Sequence, residues 1–238
     1  MSLWTRISQA LAALANGEGL GAVFDRLRAV PNAENSVGFT IAILALAAKM
    51  AKADGTVTRD EVSAFRSIFT LPAEEEENAA RVFNLARQDV AGFDSYARKV
   101  AALFNPAGQT LCADDHNILI DILEALFAIA MADGAYHPRE DAFLAQVAQI
   151  FGLDARCFGA VRARYVMGAP RDPFAVLGAA PGASLDDLRA AWKAAVKANH
   201  PDGMIARGVP PEAVQLAARR LVAINAAWRE VQSLRASA

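Results

Sequence analysis

The sequence predicts an all-α protein: an N-terminal helical bundle made of two related helical hairpins, followed by a smaller C-terminal helical hairpin. Three observations carry this expectation. Apolar residues recur at three- and four-residue spacing in nearly every long segment, the period of one helix face. Alanine and leucine dominate, while the alternating β-branched residues of strands are scarce. A helix–turn–helix unit centred on Ala-Asp-Gly occurs twice, at Ala53-Asp54-Gly55 and at Ala132-Asp133-Gly134.

At the N-terminus, Leu3, Trp4, Ile7, Leu11 and Leu14 mark one apolar helix face. Arg6, Ser8 and Gln9 interrupt the run, so no signal peptide is expected here. The face has no basic stripe for lying on a membrane surface, so packing against the core is the simpler use of it. The longest apolar stretch, Val37 to Met50, is shorter than the ~18–20 residues that span a bilayer. Ile118 to Met131 contains Asp121 and Glu124 and is a poor span too. No transmembrane helix is expected.

Aligning the two Ala-Asp-Gly turns also aligns Glu61 with Glu140, Phe65 with Leu144 and Ile68 with Val147. Glycine after aspartate suits a helix end, where a left-handed backbone is needed. Thr58 followed by Glu61 fits a capping box for the helix after the first turn. Neither hairpin can bury its apolar face alone, so the two are expected to pack on each other. The stretch between them, with the acidic run Glu74 to Glu77 and then Phe83 to Leu103, should supply connecting helices. The acidic run suits either a solvated helix start, favoured by the macrodipole, or a partner patch, and the sequence does not decide between them.

Gly168, Pro170 and Pro173 break the helical pattern and mark a linker over 168–172. The charge changes there. Residues 1–170 hold 15 Lys and Arg against 20 Asp and Glu, a net of −5, whereas residues 171–238 hold 9 against 6, a net of +3. An acidic helical domain over 1–167 and a basic one over 173–238 account for this.

In the C-terminal part, Phe174, Val176 and Leu177 form a short apolar turn ended by Gly178. Ser184 with Asp187 is a capping box that opens a helix running to about Asn199. Its apolar stripe is Leu188, Trp192 and Ala195; Arg189, Lys193 and Lys197 recur every four residues as a basic stripe on another face. Proline then stops the helix within His200-Pro201-Asp202-Gly203, leaving His200 and Asp202 exposed at the start of a loop. A second helix begins at about Pro211 with Val214, Leu221, Ile224, Trp228 and Val231 as its stripe, expected to pack on Leu188 and Trp192.

Composition bounds the rest. The chain has 238 residues, 54% hydrophobic and 21% charged: enough apolar material for a core and too little charge for a disordered tail protein. A net charge of −2 excludes a non-specific nucleic-acid binder, which would be strongly basic. Cys112 and Cys157 are far apart, so neither a disulfide framework nor a four-cysteine zinc site is available. Cys112 with His116 gives only two ligands, which do not make a structural zinc site. Asp54, Glu61, Asp133 and Glu140 are the remaining metal candidates. A calcium loop wants several alternating carboxylates before its glycine, and these turns lack them. Turn and capping chemistry explains the aspartates more simply, and His137 before Pro138 reads as a turn residue. No metal or cofactor is expected.

The segment from Asp172 onward resembles a J-domain, the module of DnaJ-type co-chaperones. The resemblance rests on Phe174-x-Val176-Leu177-Gly178, the capped start at Ser184, the basic helix, the His-Pro-Asp tripeptide, and the closing Ile224-Asn225-x-Ala227-Trp228, all in family order. The longer connection from Ile205 to Glu212 is similar to the DjlA branch, and the repeated Ala-Asp-Gly units resemble the TerB-like helical domain found N-terminal in that branch. The resemblance implies a co-chaperone that binds a DnaK-type ATPase and stimulates its ATP hydrolysis, itself not an enzyme. It implies that His200, Pro201 and Asp202 engage the chaperone, with Asp202 paired to a chaperone cation. Arg189, Lys193 and Lys197 would meet an acidic chaperone surface. Residues 1–167 would give client or location specificity.

The chain departs from the family in three respects. Gly203 stands where family members often carry lysine, and Ala194 and Ala198 stand where cations are common, which implies weaker electrostatic docking. The glycine-rich region and zinc-binding cysteines of full DnaJ are absent. No N-terminal membrane anchor of the kind known in some DjlA members is expected, which places the protein in the cytoplasm, with the Leu3–Trp4–Ile7 face the only candidate for inner-membrane association. The competing reading is a stress-response or ion-sensing TerB-type module that uses the J-domain only to recruit a chaperone.

Overall fold

The computed structural model describes residues 35–54, 80, 83, 92–110, 118–206, 209 and 211–236. Among these the fold is all-α, with no strand. The helices are α1 (Asn35–Asp54), α2 (Phe93–Phe104), α3 (Ile118–Ala130), α4 (Pro138–Phe151), α5 (Ala155–Tyr165), α6 (Pro173–Val176), α7 (Leu185–Ala198), α8 (Pro201–Ala206) and α9 (Pro211–Ala236). None of the described helices is long and apolar enough to cross a membrane.

Two helices form the centre because apolar side chains cover most of their surface, and such helices must be enclosed. In α1, Phe39, Ile41, Ile43, Leu46 and Met50 are almost wholly buried; in α3 every side chain from Leu119 to Phe127 is buried. α1 packs against α2, α3 and α4, and α3 also contacts α4, α5 and α9. Phe127 anchors an aromatic cluster with Tyr136, Phe158 and Tyr165, ring centroids 5.7–6.0 Å away.

The second Ala-Asp-Gly unit has the expected hairpin form. After α3, Gly134 adopts φ +81°, and the Asp133 carboxylate accepts the Ala135 N–H at 2.9 Å. Pro138 takes the first turn of α4, where its missing N–H costs nothing. The Glu140 carboxylate reaches back to accept the His137 N–H at 2.9 Å. Asp133 and Glu140 thus serve the turn and the helix start. Leu144 and Val147, the counterparts of Phe65 and Ile68, are buried.

In the first unit α1 supplies the leading helix. Its continuation, with the Thr58–Glu61 cap, lies outside the described residues, as do the N-terminal face of Leu3, Trp4 and Ile7, the Glu74–Glu77 run, and the Cys112–His116 pair. Of the expected connecting helices, α2 is present and Phe83 is helical and partly buried.

Gly152 ends α4 at φ +94°, where a Cβ would also sit 3.0 Å from the Gln109 carbonyl. Asp154 caps α5 by accepting the Cys157 N–H at 2.8 Å, a bond that holds its carboxyl below the usual range. The chain bends at Gly168, φ +79°, and Asp172 caps α6 through the Phe174 N–H at 2.9 Å. Arg156 of α5 ties this junction down: it lies 3.5 Å from the Asp172 carboxylate and donates to the Ala179 carbonyl.

Candidate functional site

The C-terminal hairpin is α7 against α9. Ser184 accepts the Asp187 N–H at 3.1 Å and so opens α7 as its sequence requires. Leu188 and Ala195 are buried against α9, and Trp192 is half-buried. Trp192 stacks on Trp228 and donates its indole N–H to Asn225 at 3.0 Å. Of the expected α9 stripe, Ile224, Trp228 and Val231 are buried, while Val214 and Leu221 are half-buried. Ala213, Ala217 and Arg220 are fully enclosed as well, with Leu216 nearly so.

Arg189, Lys193 and Lys197 all project from α7 as exposed residues. His200 and Asp202 are exposed at the end of that helix, with side chains 54% and 90% accessible. The two groups face each other across one residue: the Asp202 N–H donates to His200 Nδ1 at 3.3 Å, and an Asp202 carboxylate oxygen lies 3.8 Å from the same nitrogen. An Nδ1 that accepts puts the neutral ring's proton on Nε2.

The tripeptide differs from its sequence reading in one respect. It opens a six-residue helix, α8, rather than a loop. Pro201 ends α7 but is well suited to a helix's first turn, so the proline that stops one helix starts the next. The Met204 N–H donates to the His200 carbonyl at 3.1 Å. The Met204 side chain is fully buried, and α8 rests on α9.

Behind the tripeptide lies a buried ionic cluster that periodicity did not reveal. Arg220 of α9 is 0% exposed. Its guanidinium donates to Asp121 at 2.6 Å and to both oxygens of Glu124 at 2.9 and 3.1 Å, all on α3. Its other terminal nitrogen donates to Asn199 at 2.8 Å. Arg164 of α5 pairs with Glu124 as well.

Burial works against the charge on Arg220, but Glu124 and Asp121 outweigh it and raise its affinity for its proton. Burial also opposes ionised Glu124, yet Arg220 and Arg164 hold its carboxyl below the ordinary value. Burial dominates at Asp121 and pushes its carboxyl up to about 6; Asp121 Oδ2 has no hydrogen-bond partner among the described residues. The sequence did carry a sign of this cluster. Two carboxylates three residues apart in an otherwise apolar helix call for buried cations. Among the described residues there is no group of three or more His, Cys, Asp or Glu able to hold a metal ion.

Residues 40–163 match the family described as Tellurite resistance protein TerB. The chain is also similar to proteins named Co-chaperone protein DjlA over most of its length. The protein of that name from Photobacterium profundum is 26% identical, over 82% of this chain and 77% of the relative. The one from Coxiella burnetii is 26% identical, over 78% and 73%. The one from Escherichia coli K12 is 21% identical over 98% of both chains. No solved structure matches the chain.

Proposed function

This chain belongs to the TerB family, and from that premise we propose that it is a DjlA-like J-domain co-chaperone that binds a DnaK-type chaperone and stimulates its ATP hydrolysis. The observation that carries this reading is the exposed His200–Asp202 pair at the end of a helix bearing three exposed cations. The relatives named as co-chaperones, aligned over most of the chain, support it.

In this reading residues 1–167 form the TerB-like domain, 168–172 the linker and 173–238 the J-domain. Arg189, Lys193 and Lys197 draw in an acidic chaperone surface and chiefly raise the association rate. His200, Pro201 and Asp202 make the contacts that differ between chaperone states, because a ligand shifts an equilibrium only through differential affinity. Asp202, almost fully exposed, is free to pair with a chaperone cation; Pro201 fixes the backbone between the two polar groups. The hydrolytic chemistry belongs to the partner, so this chain is an activator and not an enzyme. Residues 1–167 select the client or the location, in the cytoplasm.

A binding experiment tests this. The full chain is titrated into DnaK loaded with ATP and into DnaK loaded with ADP, and so is its His200→Gln variant. The reading expects wild-type binding that favours the ATP state and at least tenfold weaker binding by the variant. Equal binding by wild type and variant would refute it.

A further inference from the structure

We infer that Arg220 is a positioning residue for the His200–Asp202 segment, and that Asp121 and Glu124 of the TerB-like helices control the chaperone-stimulating site through it. This deepens the co-chaperone reading and rests on it for its functional half. Its structural half stands on the geometry alone.

The connection is short and fully enclosed. Asp121 and Glu124 hold one side of the Arg220 guanidinium, and Asn199 accepts from the other at 2.8 Å. Asn199 is 0% exposed and immediately precedes His200. Its own amide donates to the Ala195 carbonyl at 2.9 Å, and its backbone N–H donates to the same oxygen at 3.1 Å. Asn199 therefore joins the last turn of α7 to a guanidinium whose orientation is set by α3.

A planar guanidinium with four such bonds has one orientation that satisfies them. Moving α3 relative to α9 would break the carboxylate bonds, turn the guanidinium, and release Asn199, the residue just before the tripeptide. The cluster is also nearly charge-balanced, with Arg220 and Arg164 against Asp121 and Glu124. Buried ion sets of this kind are better suited to fixing one arrangement than to adding stability. The contact also crosses between the region matched by the TerB family and the His-Pro-Asp hairpin, so it offers a route from a client bound on the first region to the second.

The test uses the full chain and two variants. Asn199→Ala cuts the connection while leaving the charged groups paired. The combination Asp121→Asn and Arg220→Met removes one carboxylate together with the cation it pairs, so that Glu124 keeps Arg164 and no charge is stranded. Two quantities are read: hydrogen exchange at the amides of residues 200 and 202–204, and DnaK ATP turnover against co-chaperone concentration. We expect at least tenfold faster exchange at those amides in both variants, with exchange in α1 unchanged. We expect maximal stimulation to fall at least threefold, while the half-saturating concentration moves less than twofold because the basic stripe is intact. A merely structural role would speed exchange throughout the hairpin. Unchanged exchange at residues 200 and 202–204 in Asn199→Ala would overturn the inference. If the amides respond but wild type gives no stimulation, the co-chaperone reading falls and the positioning role stands.

Discussion

Trp192 and Trp228 stack with ring centroids 5.3 Å apart and planes within 10° of parallel, and this pair closes the C-terminal hairpin. The hairpin presents its basic stripe and its tripeptide from one rigid element, so the stack supports the candidate site from behind. Trp228 is 7% exposed. Truncation to alanine should cost about 3–5 kcal/mol, the usual range for a buried aromatic. Trp192→Phe keeps most of the ring contact and loses only the bond to Asn225, which should cost about 1 kcal/mol. Chemical denaturation of both variants checks the order; equal costs would mean that the stack carries little.

The Arg220 cluster should respond very differently to partial and complete removal. Arg220→Ala strands the buried Asp121 carboxylate, leaves Glu124 with Arg164 alone, and should destabilise by about 3–5 kcal/mol. Adding Asp121→Asn should recover most of that loss, because Glu124 stays paired with Arg164 and a neutral amide is cheaper to bury than an unpaired charge. Denaturation midpoints of the single and combined variants measure the recovery. A combined variant no better than Arg220→Ala would show that packing, not charge, dominates.

Asp121 gives the fold a pH dependence of defined sign. Its carboxyl is raised to about 6 in the folded chain from an ordinary value of 3.8. Between those values the folded state holds more protons than the unfolded one, so this group's contribution to stability grows as pH falls through 6 and is lost as pH rises through it. Two pKa units correspond to about 3 kcal/mol. Glu124 is shifted downward and acts oppositely, losing its contribution as pH falls through its folded value. Subtracting the Asp121→Asn curve isolates Asp121. Wild type should gain about 2 kcal/mol on that variant between pH 7 and pH 4, and the rest below pH 3.8. A flat difference would mean that Asp121 titrates normally.

Docking through Arg189, Lys193 and Lys197 should be salt-sensitive, since exposed charges are screened over a Debye length of about 8–10 Å at physiological salt. Raising salt from 50 to 300 mM should increase the half-saturating co-chaperone concentration about threefold, as expected for exposed pairs each contributing up to ~1 kcal/mol. Replacing all three with alanine should remove most of that slope. With Gly203, Ala194 and Ala198 at positions where cations are common in J-domains, the effect should be smaller than in a general J-protein. Stimulation unchanged from low to high salt would remove the stripe from the account.

Much of the fold was legible because its determinants are local. Ser184 caps α7 through Asp187, and Gly134 turns the second hairpin at φ +81°. Each can be read within four residues of sequence. The exposure of His200 and Asp202 was legible for the same reason. Two features were not. Pro201 reads as a helix stop, yet it also starts α8, because a proline compatible with a first turn gives no sign of which helix it belongs to. Arg220 sits beside Arg219 in a charged pair that looks solvated, but Arg219 is exposed and Arg220 is enclosed. Its partners Asp121 and Glu124 are 99 and 96 residues away, so helix periodicity within α9 carries no trace of them.

The most direct measurement is steady-state ATP turnover by a matched DnaK, with and without the full chain, alongside the Asp202→Asn variant. That substitution keeps the size of the side chain and removes the charge held 90% exposed at the tripeptide. The account predicts stimulation by wild type that disappears in the variant. Equal stimulation by both, or none from well-folded wild type, would contradict it.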